Sequence, residues 1–297
     1  MTDKNQLKVR IGGHVSMSGG LDQAVQRAAD IGANCMQIFS GSPRMWRRRE
    51  LDNFAVRKML SKREELDVEP VFTHALYLIN LASDKTELVD KSVRSLIYDL
   101  KFDSLVKGSG VVVHLGSHQG RGWEVVKSQL KDKISYILDN TPTDSRLLIE
   151  NSAGQSGKIA SDLAEISWLL DEIGSDRLGW CVDTCHAFAA GYSLAQNSQF
   201  SQDKKHRGYL ITEIQKLNLD SSLSCVHVND SQTEFASGSD RHANIGDGKI
   251  PPQELKDFLN HSLIIKHPLI TEVPGLDGSG PDQENIKRIK QLVGIKV

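Results

Sequence analysis

The sequence predicts an α/β protein built as a closed (β/α)8 barrel, a TIM barrel, and three observations lead there. Short runs rich in Val, Ile and Leu recur at intervals of about 30 to 45 residues, each followed by a longer stretch with apolar residues at i, i+3, i+4 spacing. Eight such alternations fit within 297 residues, which suits one closed barrel. The first loop, Gly12 to Gly20, lacks the G-x-G-x-x-G order that an open doubly wound sheet places after its first strand.

In chain order, strands are expected near Val9–Val15, Cys35–Ser40, Pro70–His74, Val111–Gly116, Arg146–Asn151, Leu178–Asp183, Ser224–Asn229 and Pro268–Val273. Helical periodicity marks Leu21–Ile31, Leu51–Leu66, Lys85–Val106, Glu124–Leu138, Ser161–Glu172 and Lys204–Leu217. A shorter helix at Pro252–Leu259 starts on a proline, which is tolerated at a first helical position, and Asp282–Leu292 ends the series. No linker, fixed repeat or low-complexity tract interrupts the pattern, so residues 1–297 are read as one domain. The polar stretch Ser231–Gly248 is the longest non-helical segment, and a loop of that length in a compact domain is more often functional than idle.

Composition sets broad limits. With 39% hydrophobic and 25% charged residues the chain reads as globular, and its length buries a core that needs no disulfides. No run approaches the roughly 18 apolar residues of a membrane span, and the first residues lack the apolar core of a signal peptide. A cytoplasmic protein is therefore expected. The four cysteines, Cys35, Cys181, Cys185 and Cys225, lie in or beside apolar runs, where a free thiol packs as a small hydrophobe. A thiolate zinc site at Cys181 and Cys185 is disfavoured, because C-x3-C within a strand is not a usual spacing for one. A net charge of -2 gives no general attraction to nucleic acid, so such a partner would need a local patch. One exists at Arg44-Met-Trp-Arg-Arg-Arg49, which otherwise reads as a solvated helix start.

In a TIM barrel the chemistry sits at the C-terminal ends of the strands. Strand three ends in His74, four in His114, five in Glu150, six in Asp183 followed by His186, seven in His227 and eight in Glu272. The long loop after strand seven adds Asp240 and His242, which point the same way in an extended segment. These nine residues are imidazoles and carboxylates, the donors that suit borderline and hard divalent ions. A single catalytic zinc uses about three protein ligands, so nine imply two or three ions. Four carboxylates around one divalent ion would also leave a negative site that repels phosphate, whereas three ions reverse the sign. His206, His261 and His267 fall away from strand ends and are read as structural. His14 and His118, at the end of strand one and in the loop after strand four, could support the site or meet a phosphate.

With these residues placed, the sequence resembles the endonuclease IV family of apurinic/apyrimidinic (AP) endonucleases along nearly its whole length. The stretches that carry the resemblance are His74-Ala-Leu-Tyr-Leu-Ile-Asn-Leu-Ala82, Cys181-Val-Asp-Thr-Cys-His186 continued by Ala-Phe-Ala-Ala-Gly-Tyr192, and His227-Val-Asn-Asp-Ser231 leading to Asp240-Arg-His242. Gly13-His-Val-Ser16, Ile149-Glu-Asn-Ser-Ala-Gly154 and Thr271-Glu-Val273 add weaker support. The resemblance implies three zinc ions: one on His74, His114 and Glu150, a second bridged by Glu150 and held by Asp183, His227 and Glu272, and a third on His186, Asp240 and His242, where manganese is also acceptable. Asp183 and His186 would then serve different ions, with a turn at Thr184-Cys185 as spacer. Arg44 would enter DNA at a lesion, and Tyr77 and Asn80 would meet the distorted strand.

The implied reaction is hydrolysis of the phosphodiester 5′ to an abasic site in double-stranded DNA, leaving a 3′-hydroxyl and a 5′-deoxyribose phosphate. Glu150 and Glu272 carry the catalytic expectation, within base excision repair and with 3′-end trimming as a companion activity. A monomer without protein or membrane partners is expected, in the cytoplasm and on the nucleoid when bound to DNA. Three positions depart from the family's commoner residues: Leu115 in place of Pro, Gln232 in place of Lys, and Glu272 followed by Val273 rather than Thr. The competing readings are a metal-dependent sugar isomerase or epimerase, which needs fewer ligands and no arginine run, and a non-catalytic metal-binding or DNA-scaffolding protein.

Overall fold

Side chains alternate across a strand, so every second residue of a barrel strand faces the interior. The computed structural model, which describes residues 8–295, contains eight parallel strands that close on themselves. They are β1 Ile11–His14, β2 Cys35–Phe39, β3 Val71–His74, β4 Val111–Val113, β5 Leu147–Glu150, β6 Leu178–Asp183, β7 Leu223–His227 and β8 Leu269–Thr271. Each pairs with its chain neighbours, and β8 closes the ring onto β1 through Ile11↔Leu269, Gly12↔Ile270 and Gly13↔Thr271.

The interior is layered. Cys35, Phe72, Val112, Leu148, Cys181, Cys225 and Ile270 form one fully buried cluster, one residue from each of seven strands. The eighth strand supplies Gly12, where a Cβ would lie 2.0 Å from the Cys35 carbonyl oxygen, so no side chain fits. This apolar floor excludes water from below. Two residues further along each strand, pointing the same way, come His14, Gln37, His74, His114, Glu150, Asp183, His227 and Glu272. Alternation alone thus places a polar ring on an apolar floor.

The outer layer is α1 Leu21–Asp30, α2 Val56–Leu66, α3 Thr86–Leu105, α4 Trp123–Asp139, α5 Leu163–Ile173, α6 Thr184–Ala190, α7 Leu210–Lys216, α8 Pro252–Asn260 and α9 Gln283–Leu292. In α1 the buried residues are Leu21, Ala24, Val25 and Ala28, the i, i+3, i+4, i+7 stripe of a helix lying on a barrel. Fully burying one such Leu or Val contributes about 1.5–3 kcal/mol. No helix among the described residues is long and apolar enough to cross a membrane.

Four local expectations are corrected. The stretch Leu51–Leu66 is a 3-10 turn at Leu51–Asn53 followed by α2. Lys204–Leu217 shortens to α7, because Gly208 takes φ 123° and pairs as Gly208–Tyr209 with Tyr192–Ser193. The expected turn at Thr184-Cys185 is the start of α6, capped by Asp183, whose carboxylate accepts the His186 amide at 2.8 Å, and ended by Gly191 at φ 99°. Residues 44–49 form no helix. All four cysteines are free and buried. Cys181 belongs to the floor while the Cys185 thiol faces the Arg241 carbonyl at 3.6 Å, so the C-x3-C pair does not converge.

Candidate metal centre

The ring of polar residues closes around Glu150, which is fully buried. Its Oε2 lies 3.2 Å from His74 Nε2 and 3.1 Å from His114 Nε2. Its Oε1 lies 3.0 Å from His227 Nδ1 and 3.3 Å from His186 Nδ1. One carboxylate therefore faces two different imidazole pairs, one through each oxygen. Glu272 Oε2 is 3.3 Å from His227 Nδ1, on the same side as Glu150 Oε1. Asp240 Oδ1 lies 3.1 Å from His186 Nε2 and 3.5 Å from His242 Nε2. All nine expected ligands thus converge at the C-terminal mouth of the barrel.

The donor atoms fall into groups whose members lie within 4.8 Å of one another: His74, His114 and Glu150; Glu150, Asp183, His227 and Glu272; and Asp183, His186 and His242. Asp183 stands between the last two. Its Oδ2 is 4.0 Å from His227 Nδ1 and 3.7 Å from His242 Nε2, so the geometry accommodates it beside His186 as well as apart from it. Cys181 and Cys225 also lie within that distance of His227, but both nitrogens of this ring are already engaged above the floor, with Glu150 and with Gln37.

Two observations test whether these residues suit metal ions. Both ring nitrogens of His186, and Nε2 of His242, are buried and face carboxylate oxygens at 3.1–3.7 Å without the geometry of a good hydrogen bond, an arrangement that costs free energy unless a cation is shared between the facing groups. The charges are also mismatched to their burial. Burial works to raise the Glu150 carboxyl, yet the imidazoles of His114 and His227 hold it well below the usual carboxylate range. Burial likewise opposes charge on His227, but Glu272 and Glu150 raise it to about 10, while burial drives His114 down to about 3 and pushes Asp183 up. Carboxylates and imidazoles packed this closely without metal must share protons, and divalent ions would take the place of those protons. The donor set fits metal.

The surrounding groups fix the ligands. His74 Nδ1 donates to the Ala75 carbonyl at 2.8 Å, which leaves Nε2 free for the centre. His227 Nε2 donates to Gln37 Oε1 at 2.9 Å, and Gln37 Nε2 donates to Glu272 Oε1 at 2.6 Å. Asn229 donates to Asp183 Oδ2 at 2.6 Å and accepts the Glu272 amide at 2.8 Å. Asn151 accepts the Asp183 amide at 2.6 Å. Gln37, Asn151 and Asn229 were not anticipated from the sequence. The available signal was positional: Gln37 is a polar residue two places after an inward Cys35, in an otherwise apolar strand. His14 joins the ring at 3.1 Å from Glu272 Oε1, whereas His118 accepts the amides of Gly120 and Gly122 at 3.1 and 3.2 Å and serves its loop.

Above the ligands a cavity of about 720 Å³ opens to solvent, with Arg44, Tyr77 and Arg241 among its lining residues. Arg44 and Tyr77 are exposed, and the Tyr77 amide donates to the Pro43 carbonyl at 3.2 Å, which joins the two loops that carry them. Asn80 is placed differently. Its Oδ1 accepts the amides of Ala82 and Ser117 at 3.1 and 3.2 Å, and Gly116, at φ 96°, passes so close that a Cβ would lie 2.3 Å from that oxygen. Of the departures, Leu115 is buried in the core, and Gln232 Nε2 donates to the His242 carbonyl at 2.8 Å, bracing the short hairpin Asp230–Ser231/His242–Ala243.

Residues 25–292 match the family described as xylose isomerase-like TIM barrel. The chain is 34% identical over 284 residues to a "Probable endonuclease 4" of Halothermothrix orenii, covering 95% of this chain and 100% of that protein. The crystal structure of endonuclease IV from Thermus thermophilus superposes with a TM-score of 0.80 at 32% identity, covering 96% of this chain and 98% of that one. A 3-keto-D-glucoside 4-epimerase from E. coli reaches a TM-score of 0.66 at 13% identity over 96% of this chain and 99% of its own, a likeness of fold alone.

Proposed function

The chain belongs to the endonuclease IV family of metal-dependent nucleases, and from that premise we propose that it hydrolyses the phosphodiester 5′ to abasic sites in double-stranded DNA. The observation that carries this reading is the double-faced Glu150, each of whose oxygens meets a different imidazole pair. Such a carboxylate suits two neighbouring ions beneath one phosphate.

In this reading His74, His114 and Glu150 would hold one ion; Glu150, Asp183, His227 and Glu272 would hold the second; His186, Asp240 and His242 would hold the third. Imidazoles and carboxylates in these numbers favour zinc, with manganese acceptable at the third position. Bound ions would supply Lewis acidity toward the phosphate and lower the pKa of water for attack at neutral pH. The protein's own part is orientation. Gln37 keeps the His227 proton on Nε2 and so turns Nδ1 to the centre. Gln37 fixes Glu272 by Oε1 and leaves Oε2 toward His227, while Asp183 is fixed through both oxygens, Oδ2 by Asn229 and Oδ1 by the His186 amide. The floor of Cys35, Phe72, Val112 and their neighbours keeps water out from below, which strengthens every charge interaction above it. Arg44 and Tyr77, on the rim of the cavity, face the incoming duplex. Stacking and cation contacts there would offset the few kcal/mol needed to unstack a nucleotide.

The sugar-epimerase reading shares the barrel but has no use for a third ligand group or for an exposed Arg44. Metal analysis followed by nicking of an abasic oligonucleotide duplex separates the readings. A metal content near three with nicking supports the nuclease, whereas about one metal per chain without nicking supports the epimerase.

A further inference from the structure

The arginine run at 44–49 divides into two parts with different destinations. Arg44, Met45 and Arg47 are exposed, but the Arg48 side chain turns back into the protein and is only 12% exposed. Its Nη2 donates to Asp99 Oδ2 at 2.9 Å and also to Ser95 Oγ, and its Nη1 donates to Ser40 Oγ at 3.0 Å. Ser40 Oγ in turn donates to Asp99 Oδ1. The guanidinium lies 5.1 Å from the ring centroid of Tyr98, whose hydroxyl donates to the Arg49 carbonyl at 2.6 Å. Asp99, Ser95 and Tyr98 all stand on α3, and Asp99 is fully buried. An arginine that spans three acceptors and covers an aromatic face is not replaceable by a point charge. At its other end the loop is held by the Pro43 carbonyl on the Tyr77 amide. The four residues between these two anchors include Arg44, on the rim of the metal-centre cavity.

We propose that Arg48 is a positioning residue for DNA binding: its buried pairing with Asp99 fixes the loop so that Arg44 is presented at the cavity rim before DNA arrives. The proposal rests on the reading that the chain cuts abasic duplex. Arg48 itself touches no phosphate, because Nη1 and Nη2 are committed to Ser40, Ser95 and Asp99 and its Nε is buried. Its contribution is to raise the fraction of free protein whose loop is ready to bind. If the released loop held that conformation a tenth of the time, apparent affinity would fall about ten-fold.

The test compares metal-loaded wild type, Arg48→Ala and the milder Tyr98→Phe, which removes only the hydroxyl on the Arg49 carbonyl. KM and kcat on a duplex with one abasic analogue, the salt dependence of binding, metal content and amide hydrogen exchange over residues 41–50 of the free protein are measured. Arg48→Ala should raise KM about ten-fold with kcat and metal content unchanged, and should speed exchange in the loop but not in α3. Tyr98→Phe should move KM in the same direction by less. The slope of log affinity against log salt should stay as in wild type. A slope reduced by about 0.9 would mean a direct phosphate contact and overturn the proposal. Unchanged KM and unchanged exchange would overturn it, and so would loss of metal or of kcat, which would mark a role in the barrel. A wild type that nicks nothing overturns the underlying functional reading, whereas a nicking wild type matched by Arg48→Ala overturns this inference alone.

Discussion

Replacing Gln37 with Ala should loosen the metal centre although Gln37 is no ligand. The side chain is fully buried, and its amide can be oriented in one way only: Glu272 Oε1, 2.6 Å away, can accept but not donate, so Nε2 must face it and Oε1 must face His227. His227 is thereby held with its proton on Nε2 and its Nδ1 lone pair aimed at the space shared with Glu150 and Glu272, 3.0 and 3.3 Å away. In Gln37→Ala both bonds are lost together, so His227 can adopt the wrong tautomer and Glu272 can rotate. Removing such an outer partner typically costs 10–100-fold in metal affinity, about 1.4–2.7 kcal/mol. The assay is competition with a chromophoric chelator at buffered free zinc, followed by the metal content retained. The expected result is one ion released at a chelator strength that leaves the wild type fully loaded, while the fold survives. Retention equal to wild type would refute the argument that the amide orients these two ligands.

Other expectations follow from the same geometry. Glu272→Gln and His114→Ala each remove a proposed ligand and should slow cleavage of an abasic duplex by about 100-fold or more, beyond the roughly 10–100-fold typical of losing an outer partner; a wild-type rate in either would contradict the site assignment. Arg44→Ala should weaken cleavage of damaged duplex at unchanged metal content, and loss of metal would mean that Arg44 is structural. Asp103, buried on α3 where it meets β3, accepts from Thr73 and Ser145 and is pushed up to about 7 by burial. The folded state therefore keeps a proton that the unfolded chain releases near pH 3.8, so folding stability falls as pH rises through that window. Urea midpoints of the wild type relative to Asp103→Asn should decline from about pH 4 to about pH 7 and level off above it; a difference independent of pH would contradict the assignment.

The barrel was legible because strands buried on both faces read as Val, Ile and Leu runs, and because a TIM barrel gathers chemistry at one end of them. That rule placed His74, His114, Glu150, Asp183, His227 and Glu272 on one ring, where they stand. Helix α6 was not legible. Its seven residues are buried on nearly every side, so they carry no amphipathic period, and its start coincides with a carboxylate that serves as cap and candidate ligand together. Gln37, Asn151 and Asn229 escaped notice because amides are poor metal ligands and their value lies in what they orient. Arg48 was indistinguishable from its neighbours in a charged run, since nothing local tells which arginine turns inward. Its partner Asp99 is 51 residues away.

The central claim is tested most directly by mapping the ends that the metal-loaded protein leaves on an end-labelled duplex containing one abasic analogue. The account predicts a single incision 5′ to the lesion, a 3′-hydroxyl that a polymerase can extend, an intact undamaged control duplex, and no incision by Glu150→Gln. Incision on the 3′ side, equal cutting of undamaged DNA, or full activity in Glu150→Gln would contradict it.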